Sequence, residues 1–170
     1  MTTSSQAATA YHPWTTYAAA RDEARIRGDR RVGTEHLLLG LLRDPEIERV
    51  MHVTLESARE ALNSLDRSAL AAIGVTAEFE SPVQPDRALP KKPTAKELWK
   101  VRDRLRLTPA AKAVLQEAAR PMRRRQHINA QQVLLALLEN REPDPAACLL
   151  EALDVDIVEV RKQLVLPNND

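Results

Sequence analysis

Few residues in this sequence carry side chains suited to chemistry. Glu35 and His36 are neighbours in Val32-Gly33-Thr34-Glu35-His36, and His12, His52, His127 and Cys148 complete the set of imidazole and thiol groups. A metal centre or an acid–base pair is the chemistry such groups could support. The spacing argues against both, because no H-E-x-x-H occurs and the four histidines share no helical ligand spacing. Glu35-His36 reads instead as a first-turn acid favoured by the helix dipole, beside a hydrogen-bonded histidine. Cys148 has no local activator and lies in an apolar helical stretch, which predicts a buried thiol. No G-x-S-x-G elbow is present, and none of the glycines at 28, 33, 40 and 74 is followed by Lys, so no phosphate cradle of the P-loop kind can form. The chain is read as non-enzymatic, with no metal and no cofactor.

What positions Glu35 is a repeated pattern. The run Val32-Gly33-Thr34-Glu35-His36-Leu37-Leu38-Leu39-Gly40-Leu41-Leu42-Arg43 returns 96 positions later as Ile128-Asn129-Ala130-Gln131-Gln132-Val133-Leu134-Leu135-Ala136-Leu137-Leu138-Glu139. The register extends upstream, with His12-Pro13 on Thr108-Pro109, so roughly thirty residues per copy share one layout. Proline at the first helical position opens each copy. The first helix carries Tyr17, Ala20, Ala24 and Ile26 and ends near Gly28. The second, with Leu37, Leu38, Leu39, Leu41 and Leu42, is apolar around most of its circumference and must be buried on several sides. Gly40 in its interior costs about 1 kcal/mol against Ala, which close approach of another helix would offset.

Three phrases, Met51-His52-Val53-Thr54, Ile73-Gly74-Val75-Thr76 and Leu153-Asp154-Val155-Asp156, read as helix-to-helix corners. Each has a residue tolerant of the left-handed conformation, an apolar residue returning to the core, and an N-cap. Thr54 opens a helix with Leu55, Ala58, Leu62 and Leu65 on one stripe. A short helix from about Asp66 to Ile73 follows, giving the first copy one more helical hairpin than the second. Thr94 to Glu97 and Asp156 to Glu159 have capping-box spacing. Four prolines between Ser81 and Pro93 make an extended connector, followed by a short charged helix with Leu98, Val101 and Leu105. The second copy carries Ala111, Val114, Leu115 and Ala118 up to a kink or early end at Pro121. Leu149, Leu150 and Leu153 after Asp144-Pro145, then Ile157, Val160 and Leu164, complete it. The expected organisation is a tail over 1–10, one domain over 11–165 and a tail over 166–170. Within the domain the first repeat spans 11–80, the connector 81–106 and the second repeat 107–165.

Apolar residues make up 44% of the 170 residues and aromatics only 3%, so the core must be built of Leu, Ala, Val and Ile, as an all-α fold allows. A net charge of +1 gives no general pull toward nucleic acid or a membrane. No apolar run approaches the roughly 18 residues of a spanning helix. The single cysteine excludes an internal disulfide and points to the cytoplasm. Lys91, Lys92, Lys96, Lys100, Arg102, Arg104, Arg106, Arg120 and Arg123 to Arg125 are the strongest argument for a nucleic-acid binder. Acidic residues balance them and no aromatic stacking residues accompany them, so a solvated face or a patch for an acidic protein is favoured. Trp14 and Trp99 are candidate partner anchors beside their default role in packing.

The run from Val32 to Leu41 is similar to the signature of the Clp N-terminal domain, and Leu149 to Asp156 resembles that family's junction between its third and fourth helices. The resemblance covers about residues 11 to 165. It implies an all-α domain of two pseudo-twofold-related four-helix repeats, acting as a docking surface for substrates and adaptors of ClpA- and ClpC-type unfoldases. In ClpC-type members the Glu of Gly-Thr-Glu-His and a Thr opening the repeat's first helix form a phosphoarginine pocket, one per repeat. A carboxylate pairs with guanidinium while hydroxyl and helix N-terminal donors hold phosphate. Carried over by position, the first pocket has Glu35 with His12 in place of Thr, and the second has Thr108 with Gln131 in place of Glu. Both are degraded versions of the family's pocket. The expected role is a stand-alone adaptor, decoy or regulator that binds Clp unfoldases, their substrates or adaptors, or N-domain-targeting cyclic peptides. The alternatives are the N-terminal fragment of a larger Clp ATPase, a scaffold reused for an unrelated partner, and a basic-patch nucleic-acid-binding helical protein.

Overall fold

Helix starts in this chain are set by its capping residues. Thr54 Oγ1 accepts from the Ser57 amide at 3.2 Å, Thr108 Oγ1 from Ala111 at 3.2 Å, and Asn129 Oδ1 from Gln132 at 2.8 Å. Asp44 and Asp144 accept from the amides of Glu46 and Ala146, both at 3.0 Å, with Pro45 and Pro145 as first helical residues. The computed structural model describes residues 13–75, 105–120 and 129–165. Among them are α1 (Pro13–Arg27), β1 (Arg31–Val32), α2 (Thr34–Leu41), α3 (Pro45–Met51), α4 (Leu55–Ala72), β2 (Arg106–Leu107), α5 (Pro109–Ala119), α6 (Ala130–Leu137), α7 (Pro145–Ala152) and α8 (Ile157–Val165). The fold is all-α, with four helices among the described residues of each half of the chain.

The corners behave as their residue types dictate. His52, Gly74 and Asp154 have φ of 54°, 80° and 52°. Val75 and Val155 close their corners with amides donated to the Leu70 and Leu150 carbonyls, at 2.9 and 3.1 Å. Val53 is buried and Val155 half-buried, whereas Val75 and Ile73 stay exposed. The expected break after Leu65 does not occur. α4 runs unbroken through Asp66 to Ala72, so the first half gains no additional hairpin. Ser64, Asp66, Arg67 and Ser68 form its solvent side, not a boundary. Asp156 caps Val158 and Glu159, but Glu159 turns to Lys162 and Gln163 instead of closing a box. The described part of α5 ends at Ala119, just before Pro121. The Pro-rich connector, the helix expected after Thr94, Trp99, the Trp14 side chain and both tails lie outside the described residues.

α2 is the centre of the molecule. Leu37, Leu38, Leu39 and Leu41 have no exposed surface, because α1 covers one side while α6 and α7 of the other half cover more. Contacts of α3 with α8 and of α4 with α7 join the halves further. A β-carbon on Gly40 would sit 2.7 Å from the backbone nitrogen of Ala20 and 3.1 Å from the Thr16 carbonyl oxygen. The two backbones touch there, with late α2 against early α1, so the pair is antiparallel. On α1 the inward face is Thr16, Ala20, Glu23 and Ala24; Ile26, two residues past Ala24 and so on the opposite side, is 58% exposed. Glu23 is 1% exposed and accepts from Arg43 Nε at 2.8 Å and Arg59 Nε at 3.0 Å, a buried carboxylate tied to α4 and the end of α2.

Gly40→Ala should cost about 1 to 3 kcal/mol, since the added methyl meets backbone that cannot step aside. Gly74→Val should cost about 1 to 2 kcal/mol through its left-handed φ alone. Urea denaturation of both variants checks these values; an unchanged midpoint for Gly40→Ala would contradict the close helix contact.

Candidate functional site

Two helices start side by side. β1 and β2 pair in parallel, with Arg31 opposite Arg106 and Val32 opposite Leu107, and the Thr108 amide donates to the Val32 carbonyl at 2.9 Å. The next residue on each strand is the N-cap of a helix, Gly33 for α2 and Thr108 for α5. First-turn amides and the positive dipole ends of both helices are thereby brought to one small region.

The candidate residues on described parts of the chain are distributed as follows. Glu35 is in the first turn of α2, next to the end of the antiparallel α1, and Arg27 there acts on its charge. His12 lies outside the described residues, before the far end of a 15-residue helix about 22 Å long. In the second half Glu117 and Arg120 at the end of α5 share a shallow pocket with Gln132 in the first turn of α6 and with Leu135 and Ala136 further along it. Thr108 therefore opens α5 at the end remote from Gln131. Through the strand register Thr108 of the other half follows Leu107 as Gly33 follows Val32, two residues before Glu35. Gln131 donates from Nε2 to Glu46 Oε1 of α3 at 3.1 Å, and Thr34 Oγ1 lies 3.4 Å from the Ala146 amide of α7. These two contacts join the halves at equivalent places.

The Glu35 carboxylate folds back over Gly33, where a β-carbon would be 2.3 Å from both of its oxygens. His36 is 1% exposed; its Nδ1 accepts from the Gly33 amide at 3.0 Å and lies 2.9 Å from Glu35 Oε1, and its Nε2 is 2.9 Å from Asp29 Oδ2. Glu35 Oε2 is buried with no hydrogen-bond partner. Burial pushes the Glu35 carboxyl upward, but the His36 hydrogen bond and charge, with the backbone and Arg27, outweigh it and hold the group below its ordinary value. Sequence reasoning missed Asp29 and Gly33 as members of this site. Asp29 had only its separation from His36 as a signal, and Gly33 only its place inside the motif.

Elsewhere the chemistry stays quiet. Among the described residues no group of three or more His, Cys, Asp or Glu is arranged to hold a metal. Cys148 is half-buried, not buried as expected, because α7 turns that side partly outward. Burial and the charges of Glu142, Glu151 and Asp144 push its thiol up, away from the reactive thiolate. Of the basic residues considered for nucleic acid, only Arg106 and Arg120 are described; both are exposed, and Arg120 pairs with Glu117. A groove of about 1170 Å³ between α1, α4 and α7 is lined by Ile26, Arg27, Arg59, Arg67, Leu70 and Leu153 among others, and by none of the four candidate residues. No described helix is long and apolar enough to cross a membrane.

Eight helices among the described residues, in two matched halves, define a helical-repeat domain. The chain belongs to the Clp repeat (R) N-terminal domain family, whose model matches residues 12–153. The crystal structure of the N-terminal domain of the caseinolytic protease associated chaperone ClpD from Arabidopsis thaliana is similar in fold. It has a TM-score of 0.58 at 22% identity, covering 89% of this chain and 88% of that one. No curated protein matches the sequence. The family's domain is a non-catalytic substrate-binding module, and the chain is accordingly a protein-binding module of the Clp system.

A carboxyl held below its ordinary value of 4.5 adds stability that is present above that pH and lost as pH falls through the lower folded value. The melting temperatures of wild type and Glu35→Gln should therefore differ most near neutral pH and converge below about pH 4.5. Thermal melts across that range check the sign; a gap that widens in acid would contradict it.

Proposed function

We propose that this domain acts as an adaptor, decoy or regulator in the Clp system. It works by capturing substrates, adaptors or cyclic peptides that target unfoldase N-domains, and it operates in the cytoplasm. One observation carries the choice of site: the parallel register of β1 and β2 sets the α5 N-cap Thr108 beside the first turn of α2 that bears Glu35. A guanidinium suits the carboxylate, and a phosphoryl group suits helix-start amides and a hydroxyl. The composite of Glu35 and Thr108 thus has both halves of a phosphoarginine-like pocket. At the other two candidate positions His12 stands in place of the Thr and Gln131 in place of the acid. Gln131 is engaged with Glu46, which fits a structural part.

Isothermal titration with phosphoarginine tests this. Removing Glu35 deletes a charge-assisted contact worth about 1.5 to 3 kcal/mol, so Glu35→Ala should weaken binding roughly tenfold to a hundredfold. Thr108→Ala should weaken it less, and Gln131→Ala should leave it unchanged. No heat with the wild type, or undiminished binding by Glu35→Ala, removes the proposal. An effect of Gln131→Ala without one of Thr108→Ala would favour the grouping by repeat. Recovery of Clp subunits or their clients with the chain as bait, lost in Glu35→Ala, would support the adaptor or decoy role.

A further inference from the structure

Nδ1 of His36 is offered one partner too many. A ring nitrogen either accepts through a lone pair or donates through a hydrogen, never both. Here the Gly33 amide donates to it from 3.0 Å, while Glu35 Oε1, an acceptor when ionised, stands 2.9 Å away. Without a proton between Nδ1 and Oε1, a lone pair would face a carboxylate in a place where Oε2 has no partner and little water. With a proton there, Nδ1–H donates to Glu35 and Nε2–H donates to Asp29. The geometry points to a proton latch: one proton between His36 Nδ1 and Glu35 Oε1 holds the Glu35 carboxylate folded over Gly33, and its loss to solvent frees that carboxylate for a guanidinium-bearing ligand.

The balance is simple. In the latched state an imidazolium is bracketed by the Asp29 and Glu35 carboxylates, at the cost of the bond that Gly33 N–H donates to the unprotonated Nδ1. On release the Nδ1 proton leaves to water, the lone pair accepts from Gly33 N–H alone, and the Glu35 anion turns outward. The surrounding charges are those of Arg27 from α1, which pairs with Asp29 at 3.3 Å and with Asp66 of α4, and of Asp144 at the start of α7, beyond Thr34. Arg106 lies opposite Arg31 in the strand register. Gly33 makes the folded-back position possible. Its φ of −95° is open to any residue, so Gly33→Ala alters the latch by displacing only the flexible end of Glu35.

The ligand side of this inference rests on the reading of Glu35 as a binding group; the latch itself does not. The test follows the Glu35 carboxyl carbon and the His36 ring nitrogens of the full chain by NMR from about pH 4 to 9, spanning the usual histidine range. In the wild type the Glu35 signal should move a second time, in step with His36. Gly33→Ala should abolish that second step while His36 still titrates, and His36→Gln should abolish it outright. A His36 ring that keeps one neutral form throughout, or a Glu35 signal that ignores His36, overturns the latch. In a second arm a short arginine peptide, whose guanidinium stays charged throughout, is titrated at each pH. Affinity should rise by up to tenfold per pH unit across the His36 transition in the wild type and stay flat in Gly33→Ala. Coupled NMR steps with no peptide binding at any pH would support the latch and defeat the binding role of Glu35; binding that ignores pH would defeat the latch.

Discussion

The contact of α1 with α2 at Gly40 governs what else this chain can do. With a side chain absent at that one position, the backbone of α2 reaches that of α1 at Thr16 and Ala20. The all-leucine flanks of α2 are then left for the other half of the chain. The contact also fixes direction. Helices joined this closely by a short turn run antiparallel, so the two helix starts within one half lie at opposite ends. Any site that needs two helix starts must therefore draw one from each half. The two-residue parallel pairing of Arg31–Val32 with Arg106–Leu107 does that for α2 and α5. A small ladder with little stability of its own thus sets which two helices start side by side.

Local features were legible because their causes are local. Prolines at first helical positions, threonine and aspartate caps, and the left-handed corners at His52, Gly74 and Asp154 each follow from a few neighbouring residues. The misreadings share one origin. Ser64 to Ser68 look like a helix boundary only if α4 needs an apolar stripe along its whole length, yet its end projects to solvent, where Asp66 takes up Arg27 from α1. Ile26 looked inward by composition, whereas the inward position belongs to Glu23, whose charge is compensated by Arg43 and Arg59 from distant parts of the chain.

The two halves use one backbone slot for different chemistry. In both, the third residue of the second helix accepts from the N-cap amide: Gln132 Oε1 from Asn129 at 3.1 Å, and His36 Nδ1 from Gly33 at 3.0 Å. In the second half Asn129 returns the bond to Gln132, which closes a capping box, and Gln131 is left to reach Glu46. In the first half the N-cap has no side chain, and the space above it takes the Glu35 carboxylate. The same change that removes the reciprocal cap creates the seat for an acid beside a titratable ring. A neutral amide at that helix position bridges the halves, while an acid there gains an ionisable neighbour and a vacant oxygen. One copy thus uses this position to join the halves, while in the other the acid turns back over its own N-cap. The physical difference between them comes down to Gly33, Glu35 and His36 against Asn129, Gln131 and Gln132.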